Sequence, residues 1–297
     1  MTNKHLQDDD AAREYLEKLR WPDGPICPHC GGVDNAYGTK RGIYRCANAE
    51  CRKDFSVTVG TIFERSKIPL HKWLTAFRLM CASKKGISAH QLHRMLGVTY
   101  KSAWFMAHRI REAMRTGGLA PNMGGQGGIV EADETFFGKL RGEPKGKAYH
   151  HKMKVLTLVD RDTGQARSAV IENVKASTIA PIVIRNLARE ARLVTDEASY
   201  YIGVGEMQAD HQSVRHSIGE YGRGEIHTNT VEGYFSIFKR GMRGVYQHCS
   251  EEHLHRYLAE FDFRYNNRAA LKISDAERAD RALLGAAGKR LTYRRAD

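Results

Sequence analysis

Three carboxylates and four cysteines carry the chemistry that this sequence can do. Asp133 stands in GGIVEADETFFG, Asp196 closes the apolar run of LVTDEASYY, and Glu232 lies near the start of HTNTVEGYFSIFKRG. Carboxylate oxygens suit hard divalent cations such as Mg²⁺ or Mn²⁺. Two such ions about 3.5–4 Å apart can clamp a scissile phosphate, one activating an attacking water or 3′-hydroxyl and the other stabilising the leaving oxygen. Two Asp and one Glu are a sufficient protein contribution, with room left for water and phosphate. Lys239 returns to within about 20° of Glu232 around a helix, where it faces either a DNA backbone or solvent.

Spacing alone leaves the ligand set open. Glu134 and Glu197 directly follow Asp133 and Asp196, so either is an alternative ligand, and Glu131 shares Asp133's face of a strand. Asn229 and Glu232 also fit a capping box, which would tie the Glu232 carboxylate to a helix N-terminus instead of a metal.

The cysteines form two close pairs, Cys27-Pro-His-Cys30 and Cys46-Ala-Asn-Ala-Glu-Cys51. Such pairs read as two knuckles that hold one tetrahedral Zn²⁺ by four thiolates. Tyr37, Ile43, Tyr44, Phe55, Val57 and Val59 supply the small sheet of a zinc ribbon. A closed thiolate set leaves no open coordination position, so this zinc is structural and His29 a bystander. Cys81 and Cys249 read as small buried residues.

These groups sit in a strongly basic chain of 297 residues, with 47 Lys and Arg against 34 Asp and Glu, a net charge of +13. That excess implies a polyanionic partner, DNA or RNA. A hydrophobic content of 41% and a charged content of 27% describe a globular protein and exclude general disorder. No apolar run reaches membrane-spanning length, so no membrane partner is expected. The polar, acidic start excludes a secretory signal, and clustered cysteines suit a reducing compartment, so a cytoplasmic, nucleoid-associated location is expected.

The elements that must position these groups fall into a multidomain α/β order. A helix over 8–20 opens the chain, with Tyr15, Leu16 and Leu19 on one face, and residues 1–25 form its segment. The zinc ribbon takes 26–62. Residues 63–117 read as a helix-turn-helix. Leu70, Trp73, Leu74, Phe77 and Met80 or Cys81 recur at helical spacing, SAHQLHRML follows, and Thr99 caps the last helix. In that helix Ala103, Met106, Ile110 and Ala113 face inward, while Tyr100, Lys101, Trp104, His108, Arg111 and Arg115 form the opposite stripe. As a recognition helix it would bring Thr99, Lys101 and Ser102 to base edges and its arginines, Arg109 among them, to phosphates. An ordinary hairpin with a solvated basic face fits the pattern equally. The glycines of 118–128 read as a linker. From 129 to 270, strand, hairpin, helix, strand and helix follow in the order of a ribonuclease-H-like layer, including a hairpin across DRDTGQ and a helix from Ser177 to Ala191. The basic segment 139–154 is either a solvated loop or a DNA-tracking one. Residues 271–297 read as a helical tail without further information.

Several stretches together resemble bacterial insertion-sequence transposases of the Asp-Asp-Glu type, in the subgroup related to the Merlin transposons. They are CPHCGG, RKDFSVTVGTIFERSKIPLHKW, KKGISAHQLHRMLGVTYKSAWFMAHRIREAM, VEADETFFGK, LVTDEASYY and HTNTVEGYFSIFKRGMRGVYQHCSEEHLHRYLAEFDFRYNNR. The resemblance implies an N-terminal zinc ribbon, a helix-turn-helix and a ribonuclease-H-like catalytic domain. It matches Asp133, Asp196 and Glu232 to the metal-binding triad, and Lys239 to a basic residue further along that helix. The second knuckle is longer than the family's usual pair, and Gly138 stands where two glycines are common. The implied activity is cleavage at transposon ends by water, followed by attack of the freed 3′-hydroxyl on target DNA, without a covalent enzyme intermediate. Terminal inverted repeats and target DNA are the implied partners, held by a homodimer or larger assembly.

Overall fold

A computed structural model describes residues 3–117, 120–144, 149–205, 210–219 and 222–291. Parts of the expected linker (118–119), the basic segment (145–148) and the tail (292–297) lie outside these. The chain divides into two compact units, one of Met1–Arg115 with Ile273–Asp297 and the other of Thr116–Lys272.

In the first unit, α1(Asp9–Arg20) begins at Asp8, whose side chain accepts from the Ala11 N–H at 2.9 Å. Such a cap satisfies one of the helix's orphan donors. β1(Ala36–Lys40), β2(Ile43–Cys46) and β3(Asp54–Phe55) pair antiparallel as the small ribbon sheet. Trp21 meets Tyr44 and Phe55 edge-on at 5.7 and 5.8 Å and so ties the end of α1 to the ribbon. α2(Leu70–Ala82) buries Trp73, Leu74, Ala76, Phe77, Met80 and Cys81, the face its periodicity predicts. α3(Ala89–Leu96) is capped by Ser88 and stopped by Gly97, whose φ of 60° favours glycine. α4(Tyr100–Met114) starts after Val98 and Thr99.

Two expectations change here. The tail is not peripheral: α9(Asp275–Leu284) packs on α2 and α4. In α4, His108 and Arg111, expected on the stripe opposite the core, are buried.

The second unit is built on a five-stranded sheet of order β6-β5-β4-β7-β8. β4(Ile129–Phe137), β5(Met153–Asp160) and β6(Ala166–Ile171) run antiparallel, and β7(Arg192–Asp196) and β8(Asp210–Val214) run parallel to β4. This is the ribonuclease-H-like layer that the order of elements predicts, with β8 as an unforeseen edge strand. Alternation along β4 and β5 divides the core into two. Val130, Ala132, Leu156 and Leu158 join α5(Ala176–Asn186) and the segment after β7, which includes the turn α6(Ile202–Gly205). Val155, Val159 and Phe137 join α7(Asn229–Gly241) and α8(Glu251–Asn266) on the other face.

The glycine-rich segment is not a free linker where it is described. Met123 is buried in the α5 core, and its N–H donates to the Asn186 carbonyl while its own carbonyl accepts from Ala188. That pairing draws Leu187 out of helical geometry, so α5 ends at Asn186 rather than at Ala191. A Cβ on Gly124 would come within 2.5 Å of the Ala191 Cβ and 2.8 Å of Val130. Close approach, not flexibility, explains this glycine.

Candidate active cleft and zinc knuckles

The cysteine pairs converge as their spacing predicts. All four Sγ atoms lie within 4.8 Å of one another, with Cys27–Cys51 at 3.8 Å and Cys30–Cys46 at 3.6 Å. Four sulfurs about 2.3 Å from a central Zn²⁺ stand about 3.8 Å apart along each tetrahedral edge. These separations fit that edge and are far too long for disulfides. Burial pushes the Cys27 thiol up, but hydrogen bonds from the His29 and Cys30 backbone outweigh it and bring the group down to about 7. Such donors favour thiolate, the form that binds metal. The cysteine site is a structural zinc site.

The second site is an open cleft of about 480 Å³ lined by Asp133, Glu134, Thr135, Asp196, Glu232, Phe235, Ser236 and Lys239. β4 brings Asp133, the end of β7 brings Asp196, and the first turn of α7 brings Glu232. Burial raises the Asp133 carboxyl to about 8, and the charges of Glu134, Asp196 and Glu232 add to the rise. Mutual repulsion among oxygen donors of this kind is what a divalent cation offsets, so the donor set fits Mg²⁺ or Mn²⁺. Among the described residues only the cysteines bring three or more ligand atoms within 4.8 Å of one another. The three carboxylates share the cleft without forming such a cluster. Burial and neighbouring Arg243 lower the Lys239 ammonium, Asp133 opposes them, and Lys152 lowers it further.

The rival carboxylates have other partners. Glu131 is fully buried; it accepts from the Val231 N–H at 2.8 Å and from Arg161 Nε at 2.5 Å. It thereby fastens β4 to the N-terminus of α7, where a negative charge also meets the helix dipole favourably. Glu197 accepts from Ser217 N and Oγ at 2.8 and 2.7 Å. Glu134 does line the cleft, but Tyr200 donates to its Oε2 at 2.8 Å and Tyr201 to its Oε1. Burial raises it to about 7 against the pull of those tyrosines. The Asn229 capping box does not form. The helix starts at Asn229, and Glu232 Oε1 instead accepts from Thr228 Oγ1 at 3.1 Å. The Glu131 and Glu134 linkages were beyond sequence reasoning, although Glu131's place on Asp133's strand face and the Tyr pair after Asp196 were visible signals.

In the first unit Thr99 accepts from the Ser102 N–H at 3.2 Å and donates to Ser102 Oγ at 2.9 Å, capping α4. Thr99, Tyr100 and Lys101 are exposed. Arg109 is placed differently from them. Its guanidinium lies over Phe105 and donates to the carbonyls of Ile62 at 2.6 Å and Leu291 at 3.0 Å, which occupies it inside the unit. No helix among the described residues is long and apolar enough to cross a membrane.

Known proteins fall on both sites. The model of the ISXO2-like transposase domain matches residues 126–266, and that of the transposase zinc-ribbon domain matches residues 7–54. An uncharacterized protein in transposable element ISH50 of Halobacterium salinarum is 28% identical over 284 residues, covering 89% of this chain and 93% of its own. Among solved structures, one chain from the simian T-cell lymphotropic virus intasome in complex with PP2A regulatory subunit B56 gamma aligns at 14% identity. That alignment spans 64% of this chain and 65% of the other with a TM-score of 0.31, a likeness too low to carry an argument. With one match on the acidic cleft, the other on the cysteine knuckles and a transposable-element relative along nearly the whole length, this chain belongs to the IS1595 family of transposases with an N-terminal zinc ribbon.

Proposed function

We propose that this transposase cleaves strands at its transposon's ends and joins the resulting 3′-hydroxyls to target DNA, with Asp133, Asp196 and Glu232 holding the divalent cations. The observation that supports this reading is the single cleft into which β4, β7 and α7 bring those three carboxylates beside Lys239. When bound, the cations activate the attacking oxygen and stabilise the leaving one. Water attacks the scissile phosphate, its oxygen stays on the 5′-phosphate side, and the 3′-hydroxyl leaves. That hydroxyl then attacks a target phosphodiester, and a target 3′-hydroxyl leaves in its place. Lys239 pairs with phosphate oxygens next to the carboxylates. Thr99, Lys101 and Ser102, at the start of α4, read the terminal repeats, whereas Arg109 holds its own unit together. Two ends must be engaged at once, so the working form is a homodimer or larger assembly on DNA.

The test is strand joining of pre-cleaved ends in Mg²⁺ by wild type, Asp196→Asn and Glu232→Gln. The expected loss is about 10²- to 10³-fold for either variant, with end binding retained, the size typical of losing one preorganised electrostatic contact to a transition state. Joining at wild-type rates by both variants would move catalysis away from this cleft. Cleavage by wild type without any joined product would leave a plain metal-dependent nuclease.

A further inference from the structure

The sheet does not itself fix the distance between Asp133 and Asp196. β4 and β7 are paired through Ile129–Arg192, Val130–Leu193 and Glu131–Val194, and the register ends there. Asp133 and Asp196 each lie two positions past the last rung, where no ladder hydrogen bond joins their strands. A side-chain bridge spans the same opening. Glu134, adjacent to Asp133, receives hydrogen bonds on both carboxylate oxygens, from Tyr200 at 2.8 Å and from Tyr201. Both tyrosines follow Asp196 in the short helical turn Ser199–Tyr201. Tyr201 is completely buried and shares the core of Ile179, Val183 and Leu193, so its hydroxyl is held by packing. Tyr200 packs against the same core, its ring centroid 5.0 Å from that of Tyr201. Asp196 belongs to the same segment through the Ala198 N–H, which donates to its Oδ1 at 3.1 Å.

We propose that Tyr200 and Tyr201 are positioning residues that act through Glu134 to set the separation of Asp133 and Asp196, and with it the affinity of the cleft for divalent cations. Glu134 lines the cleft but turns both oxygens to the tyrosines, which separates its role from that of its neighbour. Alternation explains the division of labour: Asp133 lies on the α7 side of β4 with Glu131, and Glu134 lies on the side of the α5 core with Ala132. Groups that orient metal-binding side chains in this way typically contribute roughly 10- to 100-fold in metal affinity or activity. The inference rests on the reading of the cleft as a metal site.

The experiment uses the full chain carrying Tyr200→Phe and Tyr201→Phe, which keeps both rings and removes only the hydroxyls. Mn²⁺ binding is measured without DNA from the electron paramagnetic resonance signal of free Mn²⁺. The Mg²⁺ concentration for half-maximal strand joining is measured beside it. The expected result is a Kd for Mn²⁺ raised roughly 10-fold and a parallel rise in the Mg²⁺ requirement, with binding of transposon ends in Ca²⁺ unchanged. Wild-type Mn²⁺ affinity and Mg²⁺ dependence in the folded double variant would overturn the proposal. Should that variant not fold, half-buried Tyr200→Phe alone is decisive: a shift of several-fold supports the bridge, and no shift overturns it. Asp196→Asn separates the two readings. If it keeps Mn²⁺ binding, the metal reading itself falls, and this inference with it; if it loses binding while the tyrosine variants keep theirs, only the bridge falls.

Discussion

At the scale of single residues, this transposase places several carboxylates where ionisation is costly, and only some of them belong to the cleft. Asp262, on α8, is buried and accepts from Tyr234 Oη, from Ser168 Oγ at 2.7 Å and from Ser168 N at 2.8 Å. Burial raises it from 3.8 to about 6 in spite of those donors. Well below pH 3.8 the group is neutral in both folded and unfolded chains. As the pH rises from 4 to 6 the unfolded chain releases its proton first, so folding stability falls and the loss is complete above the folded value. A difference of about two pKa units corresponds to about 3 kcal/mol. Asp262→Asn cannot ionise, and its Oδ1 can still accept from Ser168 N while Nδ2 donates to a neighbouring hydroxyl. Its stability should therefore rise by about 3 kcal/mol relative to wild type between pH 4 and pH 7. Urea denaturation across that range measures it, and parallel pH profiles for the two proteins would assign the titration to another group. The sequence offered no sign of this network, because Ser168, Tyr234 and Asp262 come from three elements that meet only in the folded unit. Asp133 and Asp196 were legible as candidates, yet their neighbours Glu134 and Glu197 were equally so. Partners in space, two tyrosines and a serine, separate the pairs.

At the scale of elements, legibility follows how local the determining contacts are. The knuckles were readable because each Cys pair closes its own turn around the metal, and α2 was readable because a helix carries its apolar stripe within itself. β8 was not: Asp210–Val214 buries only Val214 and sits at the sheet edge, so it shows neither alternation nor an apolar run. The glycines before β4 suggested freedom, whereas Met123 and Gly124 are fixed by contacts with Leu187, Ala191 and Val130, far along the chain. The ribbon gives the clearest test at this scale. Its sheet is short, β3 being Asp54–Phe55 alone, so few apolar contacts hold it apart from the Trp21–Tyr44–Phe55 cluster. Small zinc modules draw their folding free energy from the metal. Purified protein should contain about one zinc per chain, and Cys46→Ser should lose it together with the ordered amide signals of 26–62. The second unit, with its own two cores, should keep its protease resistance. Full zinc content in Cys46→Ser would refute the four-thiolate assignment.

At the scale of the whole molecule, the unit that carries the acidic cleft is an insertion in the chain of the unit that carries the zinc knuckles. A linear reading had made residues 271–297 a tail, since the ten residues of α9 hold too few apolar positions to announce a partner. Folded, this segment completes the first unit. Ala279, Ala282, Leu283 and Ala286 are buried with Ile273. Arg278 donates to the Cys81 carbonyl at 2.8 Å, and Tyr15 to Asp280 at 2.5 Å. Gly288 N donates to the Gly60 carbonyl at 2.9 Å, and Lys289 to that of Ala113 at 3.0 Å. Burial of Ile273 and Leu283 alone contributes about 1.5–3 kcal/mol each, a large part of the 5–15 kcal/mol that typically separates folded from unfolded domains. Removal of everything after Lys272 would also expose the faces of α2 and α4 that α9 covers. The truncated chain should accordingly lose the helices of 1–115 and its binding to transposon ends, while 116–272 keeps its sheet. Limited proteolysis followed by mass measurement distinguishes the outcomes: the prediction is a protected fragment confined to about 116–272. Protection of residues 1–115 equal to that in the full chain would show that the first unit folds without its C-terminal segment, and that α9 is an appendage after all.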